Sequence, residues 1–370
     1  MILSIVFFVC VFSVFHTYIL FPFLLKIFAL GKKQNRIIFE REDLNLPYVS
    51  ILLAVHNEES VIVQKIQSTF KTNYPVNKIE FLIGSDASDD STNEIIKEFR
   101  TKFPNIQLIE FNERMGKVKI INSLALKAKG EIFILTDANV FFAGDTIYQL
   151  VKHYKNPSVS ITGGNILNYV KDKNGISHQE KYYLSRENAI KYNEGLIWGA
   201  MIGSFGGCYS IRASMFNSIP DDILYMDDFY ITLNVLNNGG KAINEMDAIS
   251  YEDVSDLIEE EFRRKIRISL GTIPILLKFY RLWLPPFNGV AFSLFSHKVL
   301  RYMSPLLIIL TFIINIFLLN QGTFYFLTLI LQLLLFVSPF VDFIMRQAGI
   351  NFKPLRFITH FIYMNIALLW

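Results

Sequence analysis

The sequence predicts an α/β domain with a largely parallel sheet, held between membrane-spanning helices at both ends of the chain. In a chain that is 52% hydrophobic, apolar runs long enough to cross a bilayer stand at residues 2–30 and again across 300–370. Between them, from Tyr48 to about Gly271, short β-branched or apolar runs alternate with amphipathic helical stretches, the pattern of strands wound with helices. Acidic clusters follow in order through that middle segment: SDASDD from Ser85, LTDAN from Leu135 and MDD from Met226. The first two come directly after strand-like runs, which places them at the carboxyl edge of the sheet, where α/β domains bind ligands.

The first apolar run, residues 1–30, reads as one transmembrane helix with Pro22 and Lys26 near its inner end. Lys32, Lys33 and Arg36 follow at once, so the positive-inside rule puts the start outside and the middle of the chain in the cytoplasm. A signal peptide is the competing reading, and it lacks both a basic leading region and a small-residue cleavage site. The net charge of +3 gives no reason to expect a nucleic-acid partner, and no basic stripe with interleaved aromatics occurs. The two cysteines, Cys10 in the span and Cys208 in the middle domain, make no convincing structural pair, so nothing asks for an oxidising compartment.

Within 48–271, YVSILLAV, KIEFLIGS, IQLIEF and EIFILT read as strands, and ESVIVQKIQSTF, STNEIIKEFRTKF and KVKIINSLALKA as the helices between them. Past Asn139 the pattern loosens to a helix over 145–155, an extended SVSITGGNILNYV and a long polar helix over 176–194. Gly199 to Gly207 is an apolar, glycine-rich loop suited to close backbone approach. The stretch 272–290, with Lys278, Arg281 and three prolines, reads as an amphipathic segment lying along the membrane. Two spans are expected at 303–319 and 324–340, with Arg346, Lys353 and Arg356 cytoplasmic. The last run, 357–370, is apolar but shorter than a crossing, as from a short final helix or a chain that continues.

Each acidic cluster has a plain alternative. Asp86 either accepts hydrogen bonds from a nucleotide or makes an Asx turn before a helix capped by Ser88, Asp89, Asp90 or Ser91. Asp137 suits a hard divalent cation shared with a diphosphate, with Asn139 offering a neutral oxygen where a second carboxylate is expected, or else it is a turn residue. Asp227 and Asp228 stand at a probable helix start, where the dipole favours them and where one is placed to act as general base. Arg263, Arg264, Lys265 and Arg267 follow three glutamates, and either pair along the helix, meet lipid headgroups or neutralise a leaving diphosphate. His56 and Lys117 are similarly open between structural and nucleotide-binding roles.

Taken together these motifs resemble the family 2 glycosyltransferases, inverting enzymes with the glycosyltransferase-A fold, and particularly their membrane-anchored bacterial members. LLAVHNEES is similar to the family's first strand and turn, which implies nucleotide contacts at Ala54, His56 and Glu58. DASDDST resembles the nucleotide-binding segment of Asp86, NERMGKVKIIN the diphosphate-side stretch of Lys117, and LTDAN the metal-binding motif, with Asn139 a departure from it. FGGCYSIR, with Gly206, Gly207 and Cys208, resembles the acceptor-side segment, beside Asp227. MDD stands where the family keeps its base, which implies Asp228. RKIRI stands at the QxxRW position of processive synthases, and Gln and Trp are replaced there by Arg264 and Ile268. Arg264 and Arg267 are the implied diphosphate contacts.

The resemblance implies a hexosyl- or N-acetylhexosaminyltransferase at the inner membrane, with a cytoplasmic catalytic domain and Mg²⁺ or Mn²⁺ as cofactor. It would move sugar from a UDP-sugar to a lipid-linked or envelope polysaccharide acceptor, with membrane lipids around it. A processive synthase extruding its product is disfavoured by the missing Trp and the few spans. A non-catalytic nucleotide-sugar scaffold stays open, while a transporter has little behind it, because the charges cluster outside the spans.

Overall fold

The computed structural model describes the backbone of residues 1–169, 177–253, 258–350 and 352–369, and their side chains except at 168, 169, 177–181, 253 and 258. The expected strand end Val170, helix start Ile176 and final residue Trp370 lie outside the described residues.

The expected strands form because their apolar runs are buried, on both faces in the three inner ones, while the third in chain order lies half-exposed at the sheet edge. They are β1 (Val49–Val55), β2 (Ile79–Asp86), β3 (Ile106–Phe111) and β4 (Ile132–Thr136), which lie parallel in the order β3-β2-β1-β4. The helices between them, α2 (Ile62–Phe70), α3 (Thr92–Lys102) and α4 (Lys117–Lys127), follow α1 (Ile2–Ala29), the first long apolar helix. Core residues such as Ile51, Leu53, Ile83 and Ile134 are fully buried, while Leu52, Leu82 and Ile121 build a second cluster on the other face.

The second half of the sheet differs from the reading of the sequence. Four more strands complete it: β5 (Val140–Phe142), β6 (Val159–Tyr169), β7 (Cys208–Arg212) and β8 (Lys241–Asp253). The full order is β3-β2-β1-β4-β7-β6-β8-β5, with β7 antiparallel to both β4 and β6, β8 parallel to β6, and β5 antiparallel to β8. The sheet is therefore mixed, and the reversal at β7 directs the loop before it back toward the carboxyl edge of β4. Between these strands run α5 (Thr146–Val151), α6 (Ser177–Trp198) and α7 (Asp227–Asn237).

The next helix, α8 (Ile258–Lys278), runs through Gly271 without a break and holds Pro274 in its interior. A proline removes one backbone donor and disturbs the preceding turn, here beside the exposed Leu270. A separate amphipathic helix from 272 is thus replaced by one continuous helix, a short turn at Tyr280–Trp283 and the Pro285–Pro286 break.

Two further helices are long and apolar enough to cross a membrane, as α1 is: α9 (Gly289–Gln321) and α10 (Thr323–Gln347). Phe7 of α1 packs on Ile314 and Leu318 of α9, and the outward faces carry exposed Phe, Leu and Ile. The last helix, α11 (Lys353–Ala367), lies against α8 and α10.

The sheet layer is fastened to these helices by α6, which buries Glu187, Asn188, Lys191 and Glu194 alongside Leu184 and Ile190. Glu187 accepts hydrogen bonds from Lys298 (2.8 Å) and Arg301 (2.9 Å) and lies 2.9 Å from His297, all on α9. Glu194 accepts from Ser293 Oγ at 2.6 Å and from the backbone N–H of Ile202 at 3.1 Å. Burial opposes ionisation of Glu187, yet Arg301, Lys298 and His297 hold its carboxyl well below the usual range. Removing one partner of a buried charge network leaves the others uncompensated. Glu187→Ala is expected to lower unfolding free energy by about 3–5 kcal/mol, measured by chemical unfolding in detergent.

Candidate active site

The candidate site lies along the carboxyl ends of β1, β2 and β4, where the turns are tied to one another. After β1, the Asn57 side-chain amide donates to Asp89 Oδ1 at 2.6 Å, and the backbone N–H of Glu58 donates to Thr92 Oγ1 at 2.8 Å. His56 Nδ1 lies 2.9 Å from the Asp86 carbonyl oxygen. Thus the HNEE and DASDDST turns form one ledge, with Ala54, His56 and Glu58 half-buried along it. Burial first, then Asp137 and Asp90, push the Glu58 carboxyl up. The helix after this ledge begins within the expected run of capping residues. Ser91 holds the cap position without a side-chain bond, and Asp90 Oδ1 accepts from the Thr92 N–H instead.

Asp86 is 4% exposed and accepts from the backbone N–H groups of Met115 (2.6 Å) and Gly116 (3.0 Å). Its carboxylate therefore shapes the loop ahead of α4. Gly116 takes φ +84° there, a left-handed value that disfavours side chains, and Lys117 begins the helix directly after it.

Lys117 joins the clusters that the sequence keeps apart. Its Nζ lies 2.9 Å from Asp137 Oδ1 at the end of β4 and 3.5 Å from Asp227 Oδ1 at the start of α7. Burial alone would lower its pKa, but Asp137, Asp227 and Asp228 raise it above the ordinary lysine value. In turn, burial would raise the Asp137 pKa, and Lys117, Lys65 and Arg264 bring it below the usual value.

The Gly206–Gly207 turn separates the two acidic positions. A side chain on Gly206 would meet the Asp228 carboxyl carbon at 3.5 Å, whereas one on Gly207 would meet Val140 at 2.4 Å and Asp137 Oδ2 at 3.5 Å. Asp227 and Asp228 are 8% and 7% exposed in the first turn of α7, following Met226 in a left-handed conformation. Asp227 Oδ2 has no hydrogen-bond partner among the described residues. Burial, reinforced by Asp227, pushes the Asp228 carboxyl up to about 6, against the pull of Lys117 and Lys191.

The remaining expectations divide. Arg264 faces Glu252 (3.8 Å) and Glu261 (3.7 Å) and acts electrostatically on Asp137. Arg267 is exposed one turn further on and, with Glu260, Arg263 and Arg264, lines an open cleft of about 330 Å³. Cys208 is not brought to the acceptor side: it is fully buried in the core, its Sγ taking the space a side chain on Gly164 would need. Asn139 is half-buried two residues past Asp137. No group of three or more His, Cys, Asp or Glu placed to hold a metal occurs among the described residues.

Two buried lysines were missed. Lys65 Nζ donates to Thr136 Oγ1 (2.6 Å) and the Val140 carbonyl (2.5 Å) beneath the Asp137 turn, and burial pushes it down to about 7. The available signal was its place three residues after Ile62 on the apolar face of α2. Lys191 on α6 sits 3.3 Å from the Phe205 ring.

A ledge of joined turns, a basic residue between carboxylates and a glycine turn stand together at the carboxyl edge of a mixed α/β sheet, the edge at which such sheets bind ligands. Residues 50–218 match the family model described as Glycosyl transferase family 2, so that segment of the chain is a glycosyltransferase family 2 domain. It is 26% identical over 248 residues to a probable glycosyltransferase, YdaM, of Bacillus subtilis, covering 63% of this chain and 57% of that relative. The chain thus spans little more than half the length of that protein. It is 24% identical to the poly-beta-1,6-N-acetyl-D-glucosamine synthase of Staphylococcus epidermidis over 76% of this chain and 70% of the relative. A dolichyl-phosphate-linked glucuronosyltransferase of Methanococcus voltae is 25% identical over 67% of this chain and 80% of its own length. The solved mannosyltransferase of Pyrobaculum calidifontis, in complex with GDP-Man and Mn²⁺, superposes with a TM-score of 0.75 at 21% identity. That match covers 99% of this chain and 97% of that one, and it identifies the fold as glycosyltransferase-A.

Because the folded state keeps Asp228 protonated to about 6 against an ordinary value of 3.8, the folded state binds the extra proton, and stability falls as pH rises from about 4 to about 6. Asp228→Asn is therefore expected to stabilise the protein by roughly 3 kcal/mol at pH 7, with the gain vanishing near pH 4 in chemical unfolding. Gly207→Ala forces a methyl onto Val140 and is expected to reduce nucleotide-sugar turnover by at least about tenfold, read from initial rates.

Proposed function

We propose that the protein is a membrane-bound inverting glycosyltransferase that moves a sugar from a nucleoside-diphosphate sugar, a UDP-sugar in our reading, to a hydroxyl of a lipid-linked or envelope polysaccharide acceptor. The observation that carries this reading is the placing of Asp137 and Asp228 on opposite sides of the Gly206–Gly207 turn, with Lys117 held between Asp137 and the neighbouring Asp227. A diphosphate at the Asp137 side and an acceptor at the Asp228 side would then meet across the turn.

The residues divide by chemistry. Ala54, His56, Glu58 and Asp86 border the nucleoside, Asp86 by shaping the Met115–Gly116 backbone. Lys117, with Arg264 and Arg267, supplies positive charge for the departing diphosphate. Asp228 is the base. The acceptor oxygen attacks the anomeric carbon, the bond from that carbon to the diphosphate oxygen breaks with its electron pair leaving on phosphate, and the hydroxyl proton passes to the Asp228 carboxylate. Attack opposite the leaving group inverts the anomeric configuration. A base poised near 6 is ionised at neutral pH yet still basic enough to take the proton.

The donor set for a divalent cation is the half-exposed Asp137 carboxylate and the Asn139 amide oxygen, which fits Mg²⁺ or Mn²⁺ when phosphate oxygens complete the shell. Bound there, the cation would neutralise the diphosphate as a Lewis acid. The apolar helices α1, α9 and α10 support an inner-membrane location, and Lys32, Lys33 and Arg36 after α1 support a cytoplasmic catalytic domain.

The test uses detergent-purified protein with UDP-glucose, UDP-N-acetylglucosamine or GDP-mannose and Mn²⁺ or Mg²⁺, recording nucleoside diphosphate release with and without a membrane lipid extract. Release is expected to require the lipid extract, to fall on chelation with EDTA, and to decline below about pH 6 as Asp228 protonates. Asp228→Asn should lower the rate by about 10²–10⁴-fold. Equal turnover in the variant would remove Asp228 as the base, and nucleotide-sugar binding without turnover in either protein would favour a scaffold.

A further inference from the structure

We propose that Lys65 is a positioning residue for the diphosphate side of the site, its buried ammonium spanning the Thr136–Val140 turn from beneath and holding the Gly207 carbonyl through the Thr136 hydroxyl. Asp137 and Asn139 are thereby presented to their ligand at a fixed place. The proposal rests on the reading of Asp137 as the carboxylate that meets the cation and diphosphate.

Lys65 is fully buried on the face of α2 that also buries Ile62, Ile66 and Phe70. Packing alone favours an apolar side chain there, since a buried ammonium is costly and apolar replacements of buried charges are often neutral or stabilising. What the ammonium donates to therefore decides what it serves. It has three N–H groups and no acceptor. It donates to Thr136 Oγ1 at 2.6 Å and to the Val140 carbonyl oxygen at 2.5 Å, and its nitrogen stands 4.0 Å from the centre of the Phe142 ring, a favourable cation–π contact. All three partners are neutral and lie on one short segment, the one that carries Asp137 and Asn139.

The contacts fall on both sides of that acidic turn. Strand β4 ends at Thr136 and β5 begins at Val140, with Asp137, Ala138 and Asn139 between them. The turn closes on itself by the backbone bond from the Val140 N–H to the Asp137 carbonyl, at 3.2 Å. Lys65 adds a tie from each end of the turn to a core helix. The tie also continues sideways, because the Thr136 hydroxyl donates to the Gly207 carbonyl at 2.8 Å. A side chain on Gly207 would come within 3.5 Å of Asp137 Oδ2, so one ammonium sets both the acidic turn and the glycine turn facing it. Lys117 instead meets the Asp137 carboxylate itself, at 2.9 Å. The two lysines thus hold the side chain and the backbone of the same turn. A divalent cation taken by one carboxylate and one amide oxygen depends on where that backbone presents them.

The test uses the full chain in detergent and measures binding of UDP and of GDP by isothermal titration calorimetry, each with and without Mn²⁺. Wild type is compared with Lys65→Met, Thr136→Val, Thr136→Ser and Asp137→Asn, and thermal unfolding is recorded for each. Lys65→Met, which keeps an unbranched apolar stem, is expected to weaken Mn²⁺-dependent nucleotide binding about tenfold while unfolding near the wild-type temperature. Binding without Mn²⁺ should change little. Thr136→Val should show part of the loss, and Thr136→Ser, which keeps the hydroxyl, should recover it, so the proposal stays testable if the Met variant unfolds.

Unchanged Mn²⁺-dependent binding in Lys65→Met, with Asp137→Asn impaired, would overturn the Lys65 proposal alone. Equal weakening with and without Mn²⁺, together with a lower unfolding temperature, would overturn it in favour of a packing role. Wild-type binding by Asp137→Asn, or no effect of Mn²⁺ on wild type, would instead sink the Asp137 assignment on which the proposal rests.

Discussion

The Lys117 ammonium stands between carboxylates delivered by two separate parts of the fold, Asp137 from the end of β4 and Asp227 from the start of α7. Without it, Asp137, Asp227 and Asp228 would gather as mutually repelling anions in a partly dry cleft, where like charges raise one another's pKa or push apart. Its position is set in turn by Asp86, whose carboxylate binds the N–H groups of Met115 and Gly116 and so fixes where α4 begins. The three acidic clusters that first mark the sequence are thus mechanically linked: the first holds the loop, the loop presents the lysine, and the lysine holds the second and third.

This linkage explains a division of labour between groups with the same chemistry. Asp137 is drawn below its ordinary value and stays anionic, as a group handling a cation or diphosphate must. Asp228, more deeply buried and beside Asp227, is pushed up to about 6. Two aspartates within one cleft are set apart by exposure and by which side of the glycine turn they occupy. Lys117 and Lys65 show the matching contrast, one raised by carboxylates and the other lowered by burial under β4.

How much of this was legible follows from the physics of each part. Strands β1, β2 and β4 are buried on both faces and parallel, so their sequences are continuous apolar runs, and the acids at the ends of β2 and β4 announce the sheet edge. Strand β8 was not legible, since KAINEMDAISYED carries charge inside a strand. The structure tolerates Glu245 there because Lys152 and His153 meet it at 2.9 and 2.6 Å. On α6 the buried face is Glu187, Asn188, Lys191 and Glu194, a helical repeat of polar residues that reads as a solvated surface until α9 is placed against it. Lys65 and Lys191 were invisible for the same reason, and Cys208 was misplaced because β7 turns its side chain inward to the core.

The polar inner face of α6 also bears on how divisible the molecule is. In most anchored enzymes a soluble catalytic half can be cut away from its membrane tether, because the join between them is a linker. Here the join is a set of charges shared between halves: Glu187 and Glu194 belong to the sugar-transfer layer, and Ser293, His297, Lys298 and Arg301 to a helix that continues into the apolar bundle. Cutting between them would strand two buried carboxylates without the α9 groups that face them. The two layers are therefore joined by buried charges rather than by a linker, and a variant meant to separate them has to replace those charges.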